Sequence, residues 1–133
     1  MSKVDIDFHS FHTNENGNED IKYNVEADAR FEDGFEIIEF DEPMEDAKIK
    51  CIIRYNSNEL HLIREGDFSS EMHFYKSEKS FGMYDVMGYT IDLNLGLRNL
   101  EINNMKLHIE YDLIVNQINT GNFKINININ RSE

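Results

Sequence analysis

From Tyr89 to Ile129 the chain alternates apolar and polar residues almost without error. Tyr89, Ile91, Leu93, Leu95 and Leu97 share one phase, and Thr90, Asp92, Asn94, Gly96 and Arg98 the other. After Asn103-Asn104 the pattern restarts with Met105, Leu107, Ile109, Tyr111, Leu113 and Val115. After a loop ending at Gly121 it restarts again with Phe123, Ile125, Ile127 and Ile129. A period of two describes a strand with one dry and one wet face. Three such strands joined by Asn- and Gly-bearing turns predict an antiparallel meander with one face to bury.

The preceding residues extend the same plan. Val4, Ile6 and Phe8 begin a first strand, and the turn residues Asn14 to Asn18 end it. Ile21, Tyr23, Val25, Ala27, Ala29 and Phe31 form the dry phase of a second, and Asp33-Gly34 reads as a tight hairpin. Phe35 to Asp41 is apolar on both phases: Phe35 and Ile37 on one, Ile38 and Phe40 on the other. A strand of that kind has something packed on its outside. Pro43 lies in an acidic loop, Asp41 to Asp46. In the fourth strand Ile49, Cys51, Ile53 and Tyr55 face in, and Lys48, Lys50 and Arg54 are set to pair with Glu36 and Glu39.

Leu60 and Leu62 belong to a fifth strand. A three-residue loop, Arg64-Glu65-Gly66, would pair Leu62 with Phe68 and Leu60 with Ser70, keeping Met72 and Phe74 on the dry phase. Between Phe81 and Gly88 the phase is lost, and Gly88 reads as a bulge or a barrel corner. No segment has helical periodicity. With 133 residues, this is a single all-β domain over 1–133: an antiparallel meander closing into a barrel of about eight to ten strands.

Charge narrows the choice of partner. Twenty-six acids against 13 bases leave a net −13, a field that repels nucleic acid and anionic membranes. The one cysteine, Cys51, allows no internal disulfide and shares the dry phase of its strand. The first residues carry no apolar signal core, and no apolar run approaches the roughly 20 residues that span a bilayer, so a cytoplasmic protein is expected. No nucleophile elbow, phosphate loop, dinucleotide fingerprint or spaced histidine pair is present, and neither an enzyme nor a cofactor is expected. Asp5, Asp7 and His9, with Glu26 and Asp28, could approach a metal, but a solvated outer face accounts for them and no metal site is assigned.

Three short patterns, Arg64-x-Gly66, Tyr84-x-x-x-Gly88 and Leu107-x-Ile109-x-Tyr111-x-Leu113, resemble the YwiB-like family of small bacterial proteins. That family is a domain of unknown function described as a calycin-type, lipocalin-like β-barrel. The resemblance implies a closed or nearly closed antiparallel barrel and neither an activity nor a known ligand.

Two functions remain in view. In the first, the barrel holds a small apolar or carboxylate-bearing molecule. Arg64, which continues the phase of Leu60 and Leu62 to the rim, would be the anion clamp. Tyr84, Met72, Phe74 and Tyr111 would contact the ligand. The bland reading of Arg64 is a rim residue pairing with Asp67 or with turn carbonyls. In the second, side chains fill the barrel and the protein is a homodimer. Its interface would be an outer patch of Phe11, Ile37, Ile38, Phe40 and Ile52, unless the acidic loop folds back with Met44 as plug.

Overall fold

A computed structural model describes residues 2–131. The chain forms ten strands: β1 (Ser2–Asn14), β2 (Gly17–Glu32), β3 (Phe35–Asp41), β4 (Ile49–Tyr55), β5 (Glu59–Gly66), β6 (Ser69–Tyr75), β7 (Phe81–Val86), β8 (Tyr89–Ile102), β9 (Lys106–Val115) and β10 (Ile118–Arg131). Each pairs antiparallel with the next, and β10 returns to β1 to close the barrel. Ten strands is the upper end of the sequence expectation. Both described chain ends lie at one end of the barrel, where Val4 faces Arg131. The turn joining β1 to β2, the 42–48 loop and the β5–β6, β7–β8 and β9–β10 turns lie at the other end, here called the mouth.

The inward phase is the predicted one over most of the chain. Ile6, Ile38, Ile53, Leu60, Phe74, Leu107, Ile109, Ile127 and Ile129 are fully buried in one core. Near the mouth the rings stack: Phe8 on Tyr23 at 4.8 Å and Tyr111 on Phe123 at 5.2 Å, with Tyr111 also tilted against Phe74 at 5.0 Å. Side chains therefore fill this part of the barrel.

Several local expectations are corrected. Leu62 faces Met72 and Leu60 faces Phe74, not Phe68 and Ser70, because Gly66 stays in register with Ile49 and lengthens the turn. Asp67 fastens that turn to the next loop: its N–H donates to the Lys48 carbonyl at 3.2 Å, and its carboxylate accepts from the Lys48 N–H at 3.1 Å. A Cβ on Gly66 would lie 1.9 Å from the Lys48 oxygen, so only glycine fits there. Gly88 is not a bulge. With Met87 it makes a two-residue hairpin turn, both at positive φ, as do Asp33 and Gly34. The bulges lie elsewhere, at Arg98 in β8 and Thr120 in β10. The first moves the inward positions from Leu97 to Leu100 and Ile102.

Ile21, Phe31, Tyr89, Ile91 and Met105 belong to the dry phase of the sequence pattern, yet they are exposed. They keep the inward phase or flank it, but their strands run past the closed, packed part of the barrel. Lys50 does approach Glu39, at 3.8 Å. Glu36 instead turns inward at the end opposite the mouth, where it accepts from the Tyr55 hydroxyl and the Arg131 guanidinium.

Candidate functional site

The mouth brings Arg64 and Tyr84 together. Arg64 faces Ser70 across β5 and β6, and Ser70 faces Tyr84 across β6 and β7, so all three share the inward phase. Phe68, released from the ladder by the longer turn, places its ring 4.7 Å under the Arg64 guanidinium and 5.6 Å from the Tyr84 ring. Neither Asp67 nor a turn carbonyl holds Arg64. Glu42 does, in a bidentate pair: Arg64 Nε donates to Oε2 at 2.7 Å and Nη2 to Oε1 at 2.8 Å. The Glu42 side chain is only 5% exposed, so the pair is screened little by water.

Tyr23 and Cys51 also feel this pair. Burial, with Cys51 and Glu42 adding to it, pushes the Tyr23 phenol above its ordinary range. Burial, and then Glu42, pushes the Cys51 thiol up to about 12. Both stay protonated at neutral pH, and Cys51 is a buried thiol without thiolate character. Met72, Phe74 and Tyr111 lie deeper. Phe74 and Tyr111 are buried, and the Tyr111 hydroxyl donates to Met72 Sδ at 3.4 Å. They form the floor beneath Arg64 and do not line an open cavity. A recess of about 230 Å³ lies on the outer face of β5, β6 and β7, lined by Ile63, Glu65, Ser69, Glu71, Met83 and Asp85, and is not part of the mouth.

Above Arg64 the rim is apolar. Of the nine large hydrophobic side chains exposed among the described residues, Ile21, Met44, Met87, Tyr89, Ile91 and Ile118 lie at the mouth. Ile21, Tyr89 and Ile91 continue inward phases, and Ile118 sits opposite inward Val115. Met44 is exposed here and plugs nothing. Neither Glu42 nor the apolar rim is found from periodicity. The loop has no period, and burial along a strand depends on where its neighbours stop.

The family profile described as a domain of unknown function, DUF1934, matches residues 6–127, from the core of β1 to the core of β10. The chain belongs to this family. Its fold is similar to that in the crystal structure of the ywiB protein from Bacillus subtilis. The TM-score is 0.73 at 13% identity, over 98% of this chain and 93% of that one. At that identity the likeness speaks for the fold alone. No curated protein matches the chain.

The outer face of the DUF1934 barrel differs from the patch expected from sequence. Ile38 and Phe40 point into the core, opposite Ile53 and Cys51, and cannot belong to an interface. Phe11 pairs with Asp20 and Lys124, far along β1 from the stretch of β2 that meets β3, and so stands apart from Ile37 and Ile52. Ile37 is outward but only 6% exposed, in a row with Arg54, His61, His73 and Phe81. Arg54 covers this row. Its guanidinium lies 3.5 Å over Phe35, and Nη1 donates to His61 Nδ1 at 3.2 Å. His61 then donates through Nε2 to Glu59 at 2.8 Å. Burial holds His61 below the usual imidazole range despite Glu59. The Asp5 and Asp7 carboxylates accept from the Asn24 amide at 3.0 and 2.7 Å on the solvated face of β1.

Proposed function

We propose that this protein is a non-enzymatic binding domain for a small amphiphile, seated in the mouth with its carboxylate on Arg64 and its apolar body against the rim. One observation carries the reading: an inward arginine, gripped on both nitrogens by a carboxylate, at the base of a ring of exposed inward apolar side chains. Glu42 stands where the ligand carboxylate would go. The planar guanidinium matches a carboxylate in two parallel hydrogen bonds, and Phe68 beneath it adds a cation–π contact. Glu42 comes from the long irregular connection of the barrel, so exchange of one carboxylate for another requires a loop movement and not a strand movement. Water would leave Ile21, Ile91 and Ile118 as the apolar body settled, at about 25 cal/mol per Å² covered.

Fluorescent fatty-acid titration tests this. The wild type should bind, Arg64→Met should weaken binding about tenfold, near 1.4 kcal/mol, and Glu42→Gln should tighten it by freeing the guanidinium. No binding by the folded wild type overturns the reading, as does binding indifferent to both substitutions.

A further inference from the structure

The ladder between β2 and β3 is short. Asp28 to Glu32 pairs with Phe35 to Glu39, whereas on its other side β2 pairs with β1 from Gly17 to Ala29. The stretch from Gly17 to Ala27 therefore has a strand neighbour on one side only. Among the described residues no backbone hydrogen bond of the 42–48 loop reaches it. Alternate residues of an antiparallel strand direct N–H and C=O to each side. This edge accordingly presents a row of unbonded donors and acceptors, the feature by which a sheet takes up another strand.

We propose that the edge seats a homodimer in which β2 of one copy pairs antiparallel with β2 of a second, about a twofold axis at Ile21. The proposal does not rest on ligand binding at the mouth. Side-chain chemistry selects both the occupant and the register. Under twofold symmetry opposite residues must share a face, so each allowed register is centred on a residue facing itself. Centring on Asp20 or on Lys22 sets that charge against its own copy, and centring on Tyr23 sets Asp20 against Glu26. Like charges directly opposite are destabilising.

Centring on Ile21 sets Lys22 against Asp20 twice and Tyr23 against Glu19, with no like-charged pair from Gly17 to Val25. Lys22 has no acidic partner within its own chain among the described residues, and Ile21, 48% exposed, would meet itself. A register centred on Asn24 also avoids like charges, since Lys22 then faces Glu26. It sets Ile21 against Ala27, which is already buried in the core, and it is cut short where Asp28 enters the ladder with β3. A strand that complements itself in this way is suited to a second copy of this chain more than to a foreign peptide.

Size-exclusion chromatography with light scattering, run on the full chain, tests the proposal. The wild type should elute at twice its 15.7 kDa mass. Lys22→Glu should give a monomer with an unchanged circular dichroism spectrum, and Asp20→Lys combined with Lys22→Glu should restore the dimer. Ile21→Cys should form a disulfide-linked dimer under mild oxidation, because Cys51 is buried and does not compete. A wild type that is monomeric at every concentration overturns the proposal. So does a dimer that survives Lys22→Glu, or a folded charge-swapped variant that stays monomeric.

Discussion

Tyr111 and Glu110 are neighbours in β9 with opposite fates. Tyr111 is 2% exposed between Phe74 and Phe123, while Glu110 lies on the outer phase within reach of the Asn122 amide at 3.4 Å. A carboxylate in place of the Tyr111 ring would have no cation or donor array to meet it, a cost of several kcal/mol. Tyr111→Asp should therefore fail to fold, and Glu110→Lys should change stability by less than about 1 kcal/mol. Urea unfolding followed by circular dichroism compares them, and equal stabilities would refute the inside–outside assignment. The position of Tyr111 was legible because a two-residue period assigns faces without knowing the neighbours. The partner of Arg64 was not. Glu42, Glu45 and Asp46 are equivalent acids in a loop without period, and only the path of that loop over β4 selects Glu42.

At the scale of one strand, β8 depends on its bulge. Leu95 and Leu97 face in before Arg98, and Leu100 and Ile102 after it, because one extra residue is absorbed between Leu97 and Asn99. Deleting Arg98, which has no partner in β9, would leave Leu97, Leu100 and Ile102 on one phase, whereas deleting Gly96, which pairs with Asp112, would turn Leu97 outward or shift the ladders of β8. The loss of burial is roughly 1.5–3 kcal/mol for each side chain. Arg98→Ala keeps the count and removes an exposed ion pair with Asp112 of 2.7 Å, which contributes little to stability in water. Thermal melts should separate the two deletions clearly, with the Arg98 deletion the closer to the wild type, and similar melting temperatures would count against the bulge. The sequence carries this signal as a three-residue spacing between Leu97 and Leu100, which strict alternation passes over. The length of the β5–β6 turn is not legible in the hairpin for a related reason: it is set by Gly66 remaining with β4, a contact outside the hairpin.

For the molecule as a whole, ten strands in simple succession follow from the count of alternating segments, but the uneven mouth does not. No strand records in its own periodicity how far its neighbour extends, so the unpaired upper half of β2 and the exposed rim were hidden. Closure has a direct test. Since Val4 faces Arg131, a short linker can join the two ends while the chain is opened between Asp33 and Gly34 at an exposed turn. This circular permutant should keep the wild-type circular dichroism spectrum and lie within about 1 kcal/mol of its stability. A permutant that does not fold would contradict the closed ring. The same ring constrains birth on the ribosome. Phe8 is made before its partner Ile127, which follows about 120 residues later. At roughly 5–20 residues per second the nascent sheet waits on the order of ten seconds with its first strand unsealed. Through that interval the outward carboxylates of Asp5 and Asp7 and the overall negative charge keep passing strands away, so the acidity of the chain protects an unfinished barrel as much as a finished one.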